Sequence, residues 1–218
     1  WNVYSAGDDS GKAMDISHLA EFIKLPDVDK DLIVRGELLI SRGQFAKHGT
    51  DFKNSRNMVA SIVTRIKPHK SAVYFDFVAH ELLQPRMAPS KQFAFLKRLG
   101  FNVVPHKLVA ANIVTTARLV KFLQARKAAS KYDIDGIMTA QDKSVPLTVG
   151  SNPSSVVAFK DNSQEEIVTA TVKSVEWTAS KHGYLKPVVH IKPVEISGVT
   201  ISKCSGKYSK GFPPCQAK

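Results

Sequence analysis

The stretch that decides the fold is SVEWTASKHGYLKPVVHIKPVEISGVTIS, residues 174–202. Apolar and polar residues alternate along it in short pieces, and a lysine recurs every few positions. Gly183, Pro187, Pro193 and Gly198 interrupt the alternation. A period of two predicts strands, and glycine and proline mark the turns or irregularities between them. The stretch therefore predicts a group of short strands with a cationic face.

The rest of the chain mixes helical and strand patterns without a regular strand–helix–strand rhythm. Helical patterns cover residues 17–24, 54–65, 90–99 and 115–129, and Ser90 is predicted to cap the third of these helices. Strand patterns cover residues 31–40, 72–83, 101–104, 134–139, 155–160, 166–177 and 186–202. This arrangement predicts an α+β fold with mostly antiparallel sheets.

The composition points to a polyanionic partner. Among 218 residues, 31 are Lys or Arg and 19 are Asp or Glu, which gives a formal net charge of +12. Such a charge favours nucleic acid or an anionic membrane surface as the binding partner, although a basic protein without such a partner would carry it too. No run of about 18 apolar residues is present, which excludes a membrane-spanning helix. Cys204 and Cys215 are too few for a zinc site and are typical of a reducing compartment, with a single disulfide left open.

Two charged residues flank a glycine in an otherwise apolar strand, at Arg35-Gly36-Glu37. Charges in a strand are costly when buried without partners, and glycine permits the close approach of a ligand or another backbone. The segment is either an edge strand with solvated charges or part of a binding site. Phe77 lies on the strand pattern at 72–83, and a place in the core is the commoner explanation for such a residue.

Three further segments carry candidate site residues. Arg56 lies where a helix begins, a position suited to phosphate binding or simply to helix capping. Asp135-Gly136 opens a strand and also has the composition of a turn. Lys160 ends an apolar strand, from which a lysine ordinarily extends into solvent.

Taken in order and with the opening stretch, these motifs resemble those of NAD-dependent DNA ligases over about residues 1–207. The matching pieces are RGE (35–37), NSRN (54–57), YDIDGI (132–137), VAFK (157–160) and KPV…PVEISGVTIS (186–202). ATP-dependent ligases and capping enzymes share the RGE, DG and Lys motifs but lack the NxRN helix and the last run. The resemblance implies a nucleotidyltransferase core that continues into an OB-fold barrel.

The resemblance also implies a role for each candidate residue. Glu37 would bind the adenosine ribose, Arg56 the phosphates, and Phe77 would stack on adenine. Asp135 would hold the metal and assist proton transfer, and Lys160 would contact the adenylate phosphate. Glu37, Asp135 and Lys160 are thus the predicted catalytic residues, with NAD and Mg²⁺ as cofactors. The implied activity is the sealing of nicks in duplex DNA. The expected location is the cytoplasm, or wherever DNA is replicated or repaired.

The sequence departs from the family pattern in several places. The nucleophilic lysine of the family lies in a KxDG motif, which occurs nowhere among these 218 residues. Ala6 and Ala140 stand where the family has an arginine and a lysine, and a second arginine beyond the NxRN helix falls near Thr64 or Arg65. We therefore expect this chain alone to be inactive. It is expected to be a fragment, to work with a second chain that supplies the front half, or to have lost catalysis.

The predicted organisation has three parts: an adenylation domain over residues 1–164, the start of an OB-fold over 165–207, and a tail over 208–218. Five lysines are predicted to line a duplex backbone without reading bases, because a ligase must act at any sequence. They are Lys181, Lys186, Lys192, Lys203 and Lys207. The alternative function is a non-catalytic, basic DNA-binding protein derived from a ligase domain, for example a packaging or scaffolding component.

Overall fold

A computed structural model describes residues 1–5, 13–146, 155–160, 168–179, 184–196 and 199–206, and its chain divides into two compact units, residues 1–161 and 162–218. The helices are α1 (Arg42–His48), α2 (Ser55–Val63), α3 (Pro89–Arg98) and α4 (Thr116–Ala129). The strands are β1 (Ile33–Ile40), β2 (Phe75–Gln84), β3 (Ile137–Ala140), β4 (Val156–Phe159), β5 (Val172–Ala179), β6 (Leu185–Ile196) and β7 (Val199–Ser205). All strand pairs among these are antiparallel, which confirms the predicted α+β class with antiparallel sheets.

The first unit is organised around the antiparallel pair of β1 and β2. The register of this pair shifts between Arg35, opposite Glu81, and Gly36, opposite Ala79, so that His80 is an extra residue on β2. Such a bulge bends the strand locally and redirects the side chains around it. The bulge lies directly beside the RGE segment.

Apolar side chains from helices and strands bury two clusters in this unit. In the first, Met58 and Ile62 of α2 are fully buried beside Phe75 and Ile40, as the predicted helical face requires. In the second, Leu82 of β2 packs with Leu96 of α3, Ala79 and Phe101. Complete burial of a side chain of this size contributes roughly 1.5–3 kcal/mol relative to exposure. These contacts fix α2 and α3 against the two-stranded sheet.

Several local predictions differ from the structure. The segment predicted as a helix at 17–24 contains only a short 3₁₀ turn, Ser17–Leu19. The strand predicted from residue 72 begins at Phe75, after a 3₁₀ segment at Lys70–Tyr74. Helix α3 begins with Pro89 after the N-cap Ala88, so the predicted cap Ser90 lies inside the helix. The backbone N and Oγ of Ser90 donate hydrogen bonds to the carboxylate of Asp142 at 2.8 and 2.7 Å.

Strands β3 and β4 form a second, four-residue pair in this unit. The loop after β3 is attached to the rest of the unit by the Asp142 contacts to α3 and by Arg86, which donates to the carbonyl oxygen of Val145 at 3.1 Å. Arg86 also forms an ion pair with Glu81 of β2 at 2.9 Å. These contacts join β2, α3 and the loop after β3.

The second unit contains a three-stranded antiparallel sheet in the order β5-β6-β7. Val189 and Ile191 of β6 are buried, whereas Lys186 and Lys192 of the same strand are exposed. The predicted exposed cationic face is present in this sheet, but the predicted breaks at Pro187 and Pro193 are wrong: β6 runs through both prolines, with only a register shift between His190 and Val194. Within the parts of the chain that the structure describes, no helix is long and apolar enough to cross a membrane.

Candidate active site

Glu37 occupies the middle of β1, opposite Val78, and its side chain is exposed. Burial lowers the pKa of His80, the extra residue of the bulge, below its ordinary value. The negative charge of the Glu37 carboxylate opposes that shift. The two side chains therefore share one neighbourhood. Sequence reasoning missed His80, since no local signal marks which residue of a strand is the extra one.

Gly36 permits a close approach, as the sequence predicted, but the approaching group is part of the protein. A Cβ at this position would lie 2.6 Å from Cζ of Phe77 and 2.5 Å from the carbonyl oxygen of Val78. The Phe77 ring thus covers Gly36, and it also makes an edge-on contact with Phe101 at a centroid distance of 6.5 Å. These contacts are those of a core side chain, and the adenine-stacking role of Phe77 stays a prediction.

Arg56 lies in the first turn of α2 and is exposed. The helix begins here because the side chain of Asn54 accepts a hydrogen bond from the backbone N of Asn57 at 2.8 Å. The positive charge of Arg56 contributes to lowering the pKa of Asp135. Arg56 and Asp135 are therefore close enough to interact.

Asp135 and Lys160 form the central pair of the site. The Lys160 Nζ donates to Asp135 Oδ2 at 2.8 Å, and the two side chains are 58% and 68% exposed. The hydrogen bond from Lys160 is the largest cause that holds the pKa of Asp135 below its ordinary value, so this carboxylate is ionised at neutral pH. Gly136 allows the approach, because a Cβ there would lie 2.7 Å from the carbonyl oxygen of Phe159 and 3.0 Å from Cγ of Lys160.

Asp133 connects the loop before β3 to two helices. It accepts a hydrogen bond from Nε of Arg42 at 2.8 Å and another from Oγ of Ser55 at 3.1 Å. The backbone N of Arg42 also donates a hydrogen bond to the carbonyl oxygen of Lys131 at 2.8 Å. The loop that ends at Asp135 is therefore held beside the first turns of α1 and α2.

A second attachment holds the same loop to β2. Asp76 accepts hydrogen bonds from Tyr132 Oη at 2.7 Å and from Lys131 Nζ at 2.9 Å. Partial burial alone would raise the pKa of Asp76, but these two hydrogen bonds outweigh it and lower the pKa. No local pattern indicates this attachment, because Asp76 and Tyr132 are 56 positions apart.

The structure thus brings Arg56, Asp135 and Lys160 into one exposed cluster with two cations and one carboxylate. Glu37 and Phe77 lie on the sheet against which α2 packs. No group of three or more His, Cys, Asp or Glu side chains that could hold a metal occurs in the described part of the chain. Cys204 is exposed and unpaired, and Cys215 lies outside the described residues.

The predicted DNA-binding lysines belong to the second unit. The pairing register places Lys203 of β7 opposite His190 of β6, and alternation along β6 places Lys186 and Lys192 on the same face as His190. All three lysines are exposed. His190 Nε2 lies 3.0 Å from Glu176 Oε2. Lys181 and Lys207 lie outside the described residues.

This α+β unit with antiparallel sheets has the fold of a nucleotidyltransferase domain. A family profile described as the NAD-dependent DNA ligase adenylation domain matches residues 6–148. The chain therefore belongs to the family of NAD-dependent DNA ligase adenylation domains.

Full-length relatives extend this similarity. The chain is 33% identical to the DNA ligase of Acanthamoeba polyphaga mimivirus over 96% of its own length and 33% of the length of that protein. It is 28% identical to the DNA ligase of Lachnoclostridium phytofermentans and 29% identical to that of Ruminiclostridium cellulolyticum, in both cases over 80% of this chain. The chain spans about a third of the length of these relatives.

Proposed function

We propose that this chain acts as the adenylation-domain part of an NAD-dependent DNA ligase that seals nicks in duplex DNA. The observation that carries the proposal is the exposed cluster of Arg56, Asp135 and Lys160, in which two cations accompany an ionised carboxylate. Cations fixed at the edge of a cleft stabilise the negative charge that develops on a phosphoryl group during transfer. The similar ligases supply the reaction class.

Within that reaction, we propose for each side chain the role that the family resemblance implies. Lys160 and Arg56 bind and orient the adenylate phosphate, and Glu37 accepts hydrogen bonds from the ribose hydroxyls. In the free protein Asp135 is paired with Lys160. A bound phosphate competes for Lys160, which frees the carboxylate to hold a cation. Phe77 keeps the adenine-stacking role that the family resemblance implies, as a proposal.

The residues present fit Mg²⁺ in one of its usual binding modes. Mg²⁺ is commonly held by one or two carboxylates together with substrate phosphates, and it keeps several of its waters. Asp135 offers one exposed and ionised carboxylate beside the phosphate-binding cations. When bound there, the ion supplies charge neutralisation to the phosphates that Arg56 and Lys160 orient.

The nucleophilic lysine of the family has no counterpart in this sequence, and the proposal therefore assigns it to another part of the enzyme. We expect the 218-residue chain to remain unmodified when it is incubated with adenylate-labelled NAD or ATP. Intact-mass spectrometry would measure this outcome directly. An AMP adduct on any lysine of this chain would contradict the site assignment.

The decisive experiment restores the missing KxDG segment, in cis or as a second chain, and measures nick sealing. Activity should appear with NAD and not with ATP. Asp135→Ala and Lys160→Ala should each lower kcat by at least about 10²-fold, the scale of losing one preorganised contact to developing charge. Matched controls are Asp51→Ala and Lys47→Ala, which remove exposed side chains of the same types on other elements. If both site variants keep near-control activity, the cluster is structural only.

We further propose that residues 165–207 begin an OB-fold and that its lysine face contacts the DNA backbone. The support is the exposed, shared face of Lys186, Lys192 and Lys203 on an antiparallel sheet. Replacement of Lys186 and Lys192 with alanine should reduce the slope of log K against log salt by about two units, if each contacts one phosphate. Fluorescence anisotropy on a nicked duplex measures the slope, and an unchanged slope would leave these lysines as a solvated surface.

A non-catalytic DNA-binding protein is the second candidate function. The observation that favours it is the absence of KxDG from the sequence, together with alanine at position 140. It predicts that DNA binding persists while no KxDG-bearing partner or extension restores sealing. The reconstitution experiment therefore separates the two candidates.

A further inference from the structure

Residues 82–132 contain no Asp or Glu. The same segment contains ten cationic residues and so carries +10 of the net +12 of the chain: Arg86, Lys91, Lys97, Arg98, Lys107, Arg118, Lys121, Arg126, Lys127 and Lys131. A potential of one sign over such a length attracts polyanions. The segment spans α3, the connection after it and α4.

Some of these cations are already neutralised by acids from outside the segment. Arg86 is paired with Glu81 at 2.9 Å, and Lys131 is paired with Asp76 at 2.9 Å. Lys91 lies near Asp142 and contributes to lowering the pKa of that carboxyl. The unneutralised charge is therefore concentrated toward α4.

Helix α4 presents one fully exposed face. We call it the α4 face, and its members are Ala117, Arg118, Lys121, Gln124, Ala125 and Ala128. The opposite side of the helix is turned inward around Leu123, which is completely buried. Arg118 and Lys121 are three positions apart, so they lie next to each other on the helix surface. Among the described residues neither forms an ion pair.

The composition of the α4 face fits a phosphate backbone better than a protein surface. Arg, Lys and Gln side chains supply most side-chain contacts to DNA phosphates, and the intervening alanines allow a polyanion to come close. Protein interfaces instead rely on large apolar or aromatic anchors, and the face has none. The neighbouring connection exposes Leu108 and Val109, but these residues are not part of the face.

From these observations we infer that the α4 face is a second contact surface for the phosphate backbone of duplex DNA, separate from the lysine face of the second unit. The choice of DNA among polyanions rests on the proposed function. Arg118 and Lys121 each neutralise one phosphate and release its counterion. The surface reads no bases, because it offers only charge and one amide.

The test compares two doubly substituted forms of the 218-residue chain on a fluorescently labelled nicked duplex. Arg118→Gln/Lys121→Gln keeps two exposed helical residues and removes both charges. Lys67→Ala/Lys70→Ala removes the same charge from exposed positions outside the acid-free segment. The first variant should flatten the slope of log K against log salt by about 1.8 units, and the second by a small fraction of that. Far-UV circular dichroism confirms that both remain folded.

Three outcomes would be informative. A slope flattened only in the α4 variant supports the inference. An unchanged slope in the α4 variant overturns it and leaves an acidic protein as the kind of partner for this face. An equal change in both variants also overturns it, since the effect is then one of net charge. A parallel measurement on Lys186→Ala/Lys192→Ala shows whether the proposed DNA contact of the second unit stands when the α4 contact fails.

Discussion

Replacement of Gly136 with alanine tests whether close packing holds the Asp135–Lys160 pair in place. The new Cβ would lie 2.7 Å from the carbonyl oxygen of Phe159, against an ordinary contact of 3.4–4 Å, so the two strands must separate by at least about 0.7 Å. The β3–β4 pair has only four residue pairs over which to distribute that shift. We expect a loss of about 1–3 kcal/mol in the free energy of unfolding, the usual cost of overpacking.

Urea denaturation followed by circular dichroism measures the loss, and hydrogen exchange at the β3 and β4 amides locates it. The matched control is Gly43→Ala in α1, where a Cβ meets nothing within 4 Å. Alanine favours a helix over glycine, so the control should be neutral or more stable by up to about 1 kcal/mol. If Gly136→Ala is as stable as wild type, with unchanged exchange at β3 and β4, the reasoning about close approach is refuted.

Three further predictions concern stability. Gln92→Leu should lower the free energy of unfolding in urea by about 1–3 kcal/mol. The backbone N of Leu82 donates to the buried Gln92 Oε1 at 2.8 Å, and the substitution leaves that donor unpaired, so an unchanged stability would contradict this. Burial lowers the pKa of His80 below 6.5 in the folded state. The contribution of neutral His80 to the free energy of unfolding is therefore complete above that pH and is lost as the pH falls through the folded pKa. His80→Gln should accordingly flatten the thermal stability profile between about pH 7 and pH 5, and an unaltered profile would argue against a lowered pKa for the half-buried His80. Asp133→Ala removes an exposed ion pair with Arg42 and should change stability by at most about 1 kcal/mol in the same assay; a larger loss would mean that the loop attachment is cooperative.

Residues whose role depends on local pattern were predictable from the sequence. The spacing of Met58 and Ile62 indicated the buried face of α2, and the helical pattern over 115–129 matches α4. Asp135, Gly136 and Lys160 were identifiable because they lie on short motifs with a recognisable order. The α+β class followed from the same local patterns.

Features that depend on contacts between distant segments were not predictable. The bulge at His80 is set by how β1 and β2 pair, and neither strand shows it alone. The N-cap of α3 is Ala88, so the prediction of Ser90 as the cap was wrong, and the backbone N of Ser90 donates instead to Asp142, 52 positions away. Helix α1 was missed because its seven residues include a glycine and bury no side chain. Tertiary contacts decide such elements, and they leave little trace in local composition.

The attachments of the loop before β3 have a consequence for folding. Asp133 is bound by Arg42 from 91 positions away and by Ser55 from 78 positions away. Contacts of such sequence separation require closure of long loops, so they form after the local helices and turns. The side-chain cluster around Asp135 is therefore assembled only when the first unit is essentially complete. A nucleotide that binds this cluster would accordingly bind only the native state. It would raise the unfolding midpoint, and the size of that rise would report how far the nucleotide occupies the native protein.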